Sequence, residues 1–222
     1  MQTHMPVLQS CPLFAGMAPE DIPAMLSCLS ARKGAFPRQD MVFHEGETAT
    51  AVGIVLTGRV HILQEDFWGN RSILAGIGPG GLFGEAFACA GTERLPVSVL
   101  AVEPCEVLFI DYRRIVTTCP SACTYHAALI RNMIGVLAGK NVQLTQKLWQ
   151  VTRRTTRQKL LSYLSAEAAA TGNNPVTVPF SRQELADYLA VDRSAMSSEL
   201  SRMQREGLLR CDRSRFTLLR ED

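Results

Sequence analysis

Between Ala35 and Tyr112 the chain runs in short apolar stretches, at 41–43, 52–56, 60–64, 72–77, 97–102 and 107–110. Breaks fall at Gly46, Gly58, Gly69, Gly78-Pro79-Gly80-Gly81, Gly91 and Glu103-Pro104. That spacing predicts the strands of an antiparallel barrel or roll. Ahead of them, residues 5–30 read as a helical prelude, in which Pro19-Glu20-Asp21 opens an amphipathic turn carrying Ile22, Met25, Leu26 and Leu29. From about Ser121 the period becomes helical. Ile130, Ile134, Leu137, Asn141, Leu144, Leu148 and Val151 alternate steps of four and three, a heptad seam kept for three repeats. A helix over 121–151 is about 45 Å long at ~1.5 Å per residue, more than a small barrel can cover, so the seam predicts a parallel two-helix dimer interface. Asn141 then occupies an a position and fixes register and strand number; the alternative is a partly wet polar residue facing the barrel.

Thr152-Arg153-Arg154-Thr155-Thr156-Arg157 breaks the heptad and predicts a hinge. A helix over 156–170 follows, then a loop at 171–175 and a short strand at 176–178. Ser181 and Glu184 form an S-x-x-E capping box, and Leu185, Ala186 and Leu189 give that helix an inward face. Asp192 is a strong N-cap for a second helix, and Gly207 stands where a left-handed residue would end it. On this second helix Met196, Leu200 and Met203 form the core stripe, leaving Arg193, Ser194, Ser197, Ser198, Ser201, Arg202 and Arg205 on the rest of the surface. Arg and Ser donate to phosphates and base edges, so helix, tight turn and helix predict a DNA reader. An ordinary solvated helical hairpin is the bland alternative. Segments 208–211 and 216–219, flanking Asp212-Arg213-Ser214-Arg215, predict a hairpin beside the second helix, which is a wing.

The predicted class is therefore α+β: an N-terminal antiparallel β-roll over 1–120, a dimerisation helix and hinge over 121–152, and a winged helix-turn-helix over 153–222. Charge sharpens this division. The net charge of the 222 residues is only +2, yet residues 153–222 hold 12 Lys+Arg against 9 Asp+Glu, whereas residues 1–152 hold 11 against 12. The basic surplus lies with the reader, as a DNA footprint requires. Absence of an export signal or bilayer-length apolar run predicts a cytoplasmic protein with no membrane partner, and the 7 cysteines then read as reduced thiols. Without HExxH, P-loop, GxSxG or paired catalytic carboxylates, no enzyme is expected. The run Gly78-Pro79-Gly80-Gly81-Leu82-Phe83-Gly84-Glu85 lacks the Gly-Lys-Ser/Thr ending of a phosphate-cradling loop and is read as turn glycines.

A glycine-punctuated roll, a long dimerising helix and a winged helix, in this order, resemble the cAMP receptor protein and fumarate-nitrate reduction regulator (CRP/FNR) superfamily of bacterial transcription factors. The landmarks are Glu45-Gly46-Glu47, Leu56-Thr57-Gly58, Gly80-Gly81-Leu82-Phe83-Gly84-Glu85 and Arg182-Gln183-Glu184-Leu185-Ala186-Asp187-Tyr188-Leu189. The resemblance implies an allosteric homodimer, double-stranded DNA and a small-molecule effector as partners, and RNA polymerase as a further one. It places an effector pocket at Phe83, Gly84, Glu85, Ala86, Leu95, Pro96 and Val97, with Met133, Ile134 and Leu137 from the long helix.

The effector itself is left unknown. Where nucleotide-binding members carry an Arg-Ser/Thr-Ala triplet, this chain has Leu95, Pro96 and Val97, so cyclic AMP is not expected; Arg94 is adjacent, but Pro96 removes a backbone donor. Cys11 and Cys28 stand apart in the prelude, so the clustered N-terminal cysteines of the iron-sulfur branch are missing. Haem stays open, with His4, His44, His61 and His126 as the available imidazoles. A small apolar or aromatic ligand fits the lining better. Cys119, Cys123 and His126 are weak metal candidates beside the reading of buried cysteine as a small hydrophobe, and no metal is expected.

For the reader, the resemblance maps the base-reading positions of the cAMP receptor branch onto Arg193, Ser194 and Ser198, and a further one of the oxygen-sensing branch onto Ser197. Ser181, Arg182, Arg202, Arg213 and Arg215 are the expected phosphate contacts. Related readers carry Glu where this chain has Ser194, so their half-site does not carry over. The expected function is a ligand- or redox-responsive regulator acting as a homodimer on a pseudo-palindromic operator. The alternative is a cyclic-nucleotide-type regulatory module without sequence-specific DNA binding.

Overall fold

The computed structural model describes residues 2–48, 50–117 and 124–219. By packing, the chain divides into two units, Met1–Gly69 with Leu74–Asn141 and Asn70–Ile73 with Val142–Asp222.

Among the described residues, eight strands precede residue 112: β1 (Arg32–Phe36), β2 (Met41–Phe43), β3 (Ala51–Thr57), β4 (Val60–Glu65), β5 (Arg71–Ile77), β6 (Leu82–Phe83), β7 (Ser98–Ala101) and β8 (Cys105–Asp111). They form two antiparallel four-stranded sheets in the orders β1-β8-β3-β6 and β2-β7-β4-β5. Strand alternation explains why 52–56 is apolar at every position. Val52, Ile54 and Leu56 on β3, with Leu108 and Ile110 on β8, face a core shared with the prelude residues Leu8, Leu13, Phe14, Ile22 and Met25. Val55 and Val107 point the other way, into a second core with Val42, Val60, Phe83 and Val99. A strand buried on both faces cannot alternate apolar and polar.

In the second core Phe83 packs edge-on against Phe43 and Phe109, at centroid distances of 5.5 and 6.5 Å. Gly53 pairs with Phe83 across β3 and β6, and a Cβ there would lie 2.2 Å from the ring, so glycine is what admits the aromatic. The prelude supplies α1 (Met5–Ser10) and α2 (Ile22–Cys28), and α3 (Glu85–Ala90) and α4 (Tyr112–Val116) follow β6 and β8.

Helix α5 (Thr124–Val151) carries the predicted seam; its expected first residues, Ser121, Ala122 and Cys123, lie outside the described residues. The break that follows is shorter than the predicted hinge. Thr155 caps α6 (Thr156–Thr171) by accepting from the Gln158 N–H, so Thr156 and Arg157 belong to a helix. Then come β9 (Val176–Thr177), α7 (Arg182–Leu189), α8 (Arg193–Arg205), β10 (Leu209–Asp212) and β11 (Arg215–Leu218), with a sheet order of β10-β11-β9. Their core is built from Leu160, Tyr163, Leu164, Leu185, Leu189, Met196, Leu200, Met203 and Phe216.

Candidate nucleic-acid interface

The reader is fixed by its own punctuation. Ser181 Oγ accepts from the Glu184 N–H while Glu184 Oε2 accepts from the Ser181 N–H at 2.7 Å, a complete capping box. Ala190, at a φ of +51°, turns the chain out of α7. Asp192 Oδ1 then accepts from the Ala195 N–H at 2.8 Å, and the Ser194 hydroxyl and that backbone N–H hold its carboxyl below the usual carboxylate range. At the far end Gly207, at a φ of +77°, donates to Gln204 O, and Leu208 N–H donates to Met203 O, which closes α8 in a Schellman motif.

With Met196, Leu200 and Met203 buried, Arg193, Ser194, Ser197, Ser198, Ser201, Arg202 and Arg205 are exposed. The hydroxyls differ in what they offer. Ser194 donates to Asp192 Oδ1, Ser197 to Arg193 O and Ser201 to Ser197 O, so their lone pairs face outward as acceptors. The wing turn presents Arg213, at a φ of +50°, and exposed Arg215 begins β11.

Two of the arginines expected to contact phosphate have side-chain partners within the domain. Arg182 is half-buried, its guanidinium 4.8 Å from the Phe216 ring centroid and donating to Cys211 Sγ, an arrangement that fastens the wing to α7. Arg202 is 63% exposed and pairs with Glu206 at 2.9 Å. Glu206 also pairs with Arg157, which reaches Glu199 as well, and these cations hold the Glu206 carboxyl down. That cluster escaped sequence reading because Arg157 and Glu199 are 42 residues apart.

The predicted effector residues lie in different surroundings. Phe83 lies in one core, Met133 and Leu137 in another, while Ala86, Pro96 and Ile134 are exposed. Leu95 and Val97 are buried apolar side chains, and Arg94 is exposed in an open cleft of about 620 Å³ lined by Gly46, Glu47, Thr48, Glu93 and itself. At positions 95–97 no cation or hydroxyl is available for a cyclic phosphate. Gly84, at a φ of +79°, opens α3, and Glu85 beside it is 2% exposed and held by Lys140 from α5 at 2.7 Å. Lys140 also donates to Leu82 O at 2.6 Å, a link from long helix to roll with no local sequence signal.

Along the seam Ile134, Leu144 and Leu148 are 62, 61 and 57% exposed, Asn141 is exposed, and Ile130, Leu137 and Val151 are half-buried. Val142 and Trp149 add exposed apolar surface on the same helix. Buried His126 donates through Nε2–H to Arg114 O at 3.1 Å; its candidate companions Cys119 and Cys123 lie outside the described residues. Of the other imidazoles, His4 pairs with Glu106, His61 is buried and His44 is exposed. Among the described residues no group of three His, Cys, Asp or Glu side chains is placed to hold a metal ion, and no helix is long and apolar enough to cross a membrane.

Comparison with known proteins agrees with both units. Residues 33–119 match the model of the cyclic nucleotide-binding domain, and residues 158–222 that of the Crp-like helix-turn-helix domain. The cyclic AMP receptor protein of Thermus thermophilus is 28% identical over 91% of this chain and 90% of its own. The nitrogen fixation regulation protein FixK of Azorhizobium caulinodans is 24% identical over 90 and 79%. In fold, the chain is similar to the c-di-GMP-responsive global regulator CLP of Xanthomonas campestris (22% identical, TM-score 0.72, covering 92% of this chain and 100% of that one). It is likewise similar to FixK2 of Bradyrhizobium japonicum (20% identical, TM-score 0.68, covering 86 and 93%). With a cyclic nucleotide-binding-type roll and a Crp-like reader on one chain, the protein belongs to the CRP/FNR family of DNA-binding transcriptional regulators.

Proposed function

We infer that the protein regulates transcription as a homodimer that reads a pseudo-palindromic operator with α8, under an effector other than cyclic AMP. The observation that carries this reading is the division of α8 into a buried Met196, Leu200 and Met203 stripe and an outward face of arginines and serines. Arg193, at the N-terminal end of α8, reads guanine; Ser194 and Ser198 are less selective neighbours. Ser181 accepts in its cap and keeps its proton for a phosphate, and Arg213 and Arg215 reach phosphates from the wing. Two copies joined by the Ile134, Leu144 and Leu148 seam set half-site centres about 34 Å apart.

The exclusion of cyclic AMP is supported by Leu95, Pro96 and Val97, whose side chains have no charge-assisted donor for a cyclic phosphate. A small apolar or aromatic ligand is the class that side chains of this kind at 95–97 favour, and the molecule works in the cytoplasm, where DNA and RNA polymerase are. Duplex binding with a steep salt dependence, without cyclic AMP and with no saturable heat on adding it, tests this reading. Tight cyclic AMP binding by calorimetry overturns the effector assignment, and salt-insensitive or absent duplex binding overturns the reader.

A further inference from the structure

The first turn of α6 grips both halves of the reader. Arg157 Nε donates to Glu199 Oε1 at 2.5 Å and Nη1 to Glu206 Oε2 at 2.7 Å. Two residues on, Lys159 Nζ donates to the carbonyls of Leu189 and Ala190, at 3.2 and 3.0 Å, where α7 ends and the chain turns toward α8. Glu199 and Glu206 are seven residues apart, about two helical turns, so they share one flank of α8. At ~100° per residue that flank borders the buried stripe, whereas Ser194, Ser198 and Arg205 lie opposite the stripe.

A planar guanidinium held at two of its edges opposes rolling of α8 about its own axis. A lysine ammonium in the same place is a point charge without that fork. We propose that Arg157 is a positioning residue for DNA recognition: its two-point hold on Glu199 and Glu206 sets the roll at which α8 presents Arg193, Ser194 and Ser198, and so sets specificity more than overall attraction to DNA. The role rests on the reading of α8 as the base-reading helix.

Charge alone is the competing explanation, since two unpaired carboxylates on α8 would repel phosphate. Glu199→Gln separates the two. It adds net positive charge, so charge alone tightens binding to every duplex, whereas loss of the hold weakens only the sequence-selective part.

The full-length protein, Arg157→Gln, Arg157→Lys and Glu199→Gln are titrated against a duplex that the wild type enriches from a random-sequence pool, and against an unenriched duplex of the same length. Thermal melting of each variant is followed in parallel. The expected result is a loss of about tenfold in the ratio of the two affinities for all three variants, the size of one lost base contact, with affinity for the unenriched duplex nearly unchanged. An unchanged ratio in Arg157→Gln, or equal tightening on both duplexes by Glu199→Gln, overturns the role. Should Arg157→Gln not fold, Glu199→Gln, which removes a single hold, decides in the same way. A wild type that enriches no duplex overturns the reading of α8, and this role with it.

Discussion

Lys147 Nζ lies 4.0 Å from the centroid of the Tyr188 ring, so the last turns of the long helix rest a cation on the first helix of the reader. Tyr188 is itself stacked on Phe180 at 5.0 Å and tilted against Tyr163 at 5.4 Å, which gives the cation an aromatic floor backed by the domain core. Burial pushes the Lys147 ammonium down to about 8, and it pushes the Tyr188 and Tyr163 hydroxyls up.

The sign of the pH dependence follows. Below pH 8 the amine is protonated folded and unfolded, and the folded state bears the full desolvation cost, offset in part by the ring's attraction of about 0.5–2 kcal/mol. Between pH 8 and 10 the unfolded chain binds more protons at this position than the folded one, so stability contributed by Lys147 rises with pH. Above pH 10 the raised tyrosines oppose it, because ionisation then favours the unfolded chain. Denaturant unfolding of wild type and Lys147→Met from pH 7 to 10 should show the wild type gaining on the variant as pH rises. A parallel pair of curves excludes this account.

Truncating the seam should weaken the proposed dimer. Leu144→Ala with Leu148→Ala removes two exposed leucines from each protomer, and burial of each contributes about 1.5–3 kcal/mol. Sedimentation should report a dimer dissociation constant raised at least ~10-fold, with operator affinity falling alongside it. A dimer of undiminished affinity would place the interface elsewhere.

Gly53 is predicted to tolerate no side chain. Its Cβ position meets the Phe83 ring from 2.2 Å, so Gly53→Ala forces the aromatic off its rotamer and costs about 1–3 kcal/mol. The midpoint of denaturant unfolding of the roll measures this, and a paired Phe83→Leu substitution should recover part of the loss.

Ser181→Ala opens the capping box and should lower stability by about 0.5–2 kcal/mol. Because the same hydroxyl has a proton left for a phosphate, duplex affinity should fall slightly too, with the salt slope unchanged, since an uncharged contact releases no counterions. Stability that does not change would mean that the Glu184 carboxylate alone holds the helix end.

The helix-turn-helix was legible in the sequence because every signal for it is local: Ser181 with Glu184, Asp192, and Gly207 each act within four residues. The strands of the roll were legible for a related reason, in that β3 and β8 bury both faces and read as continuous apolar runs. Strand β1, Arg-Lys-Gly-Ala-Phe, has no such run; it is a strand because its backbone pairs with β8, and Lys33 meets Glu106 across the pair. Two-residue β6 depends likewise on its pairing with β3. At the site, composition could identify the arginines but not their partners. Arg182 on Phe216 and Arg157 on Glu199 are tertiary contacts, and they separate side chains that hold the reader from those left to face DNA.

Base reading by α8 is assigned to Arg193. Titrating wild type and Arg193→Ala against the wild-type-enriched duplex, and against the same duplex with each base pair changed in turn, tests it most directly. Arg193→Ala should lose about 1–3 kcal/mol on the enriched duplex, with discrimination relaxed at one base pair of each half-site. Equal weakening on every duplex, or no weakening on any, would contradict it.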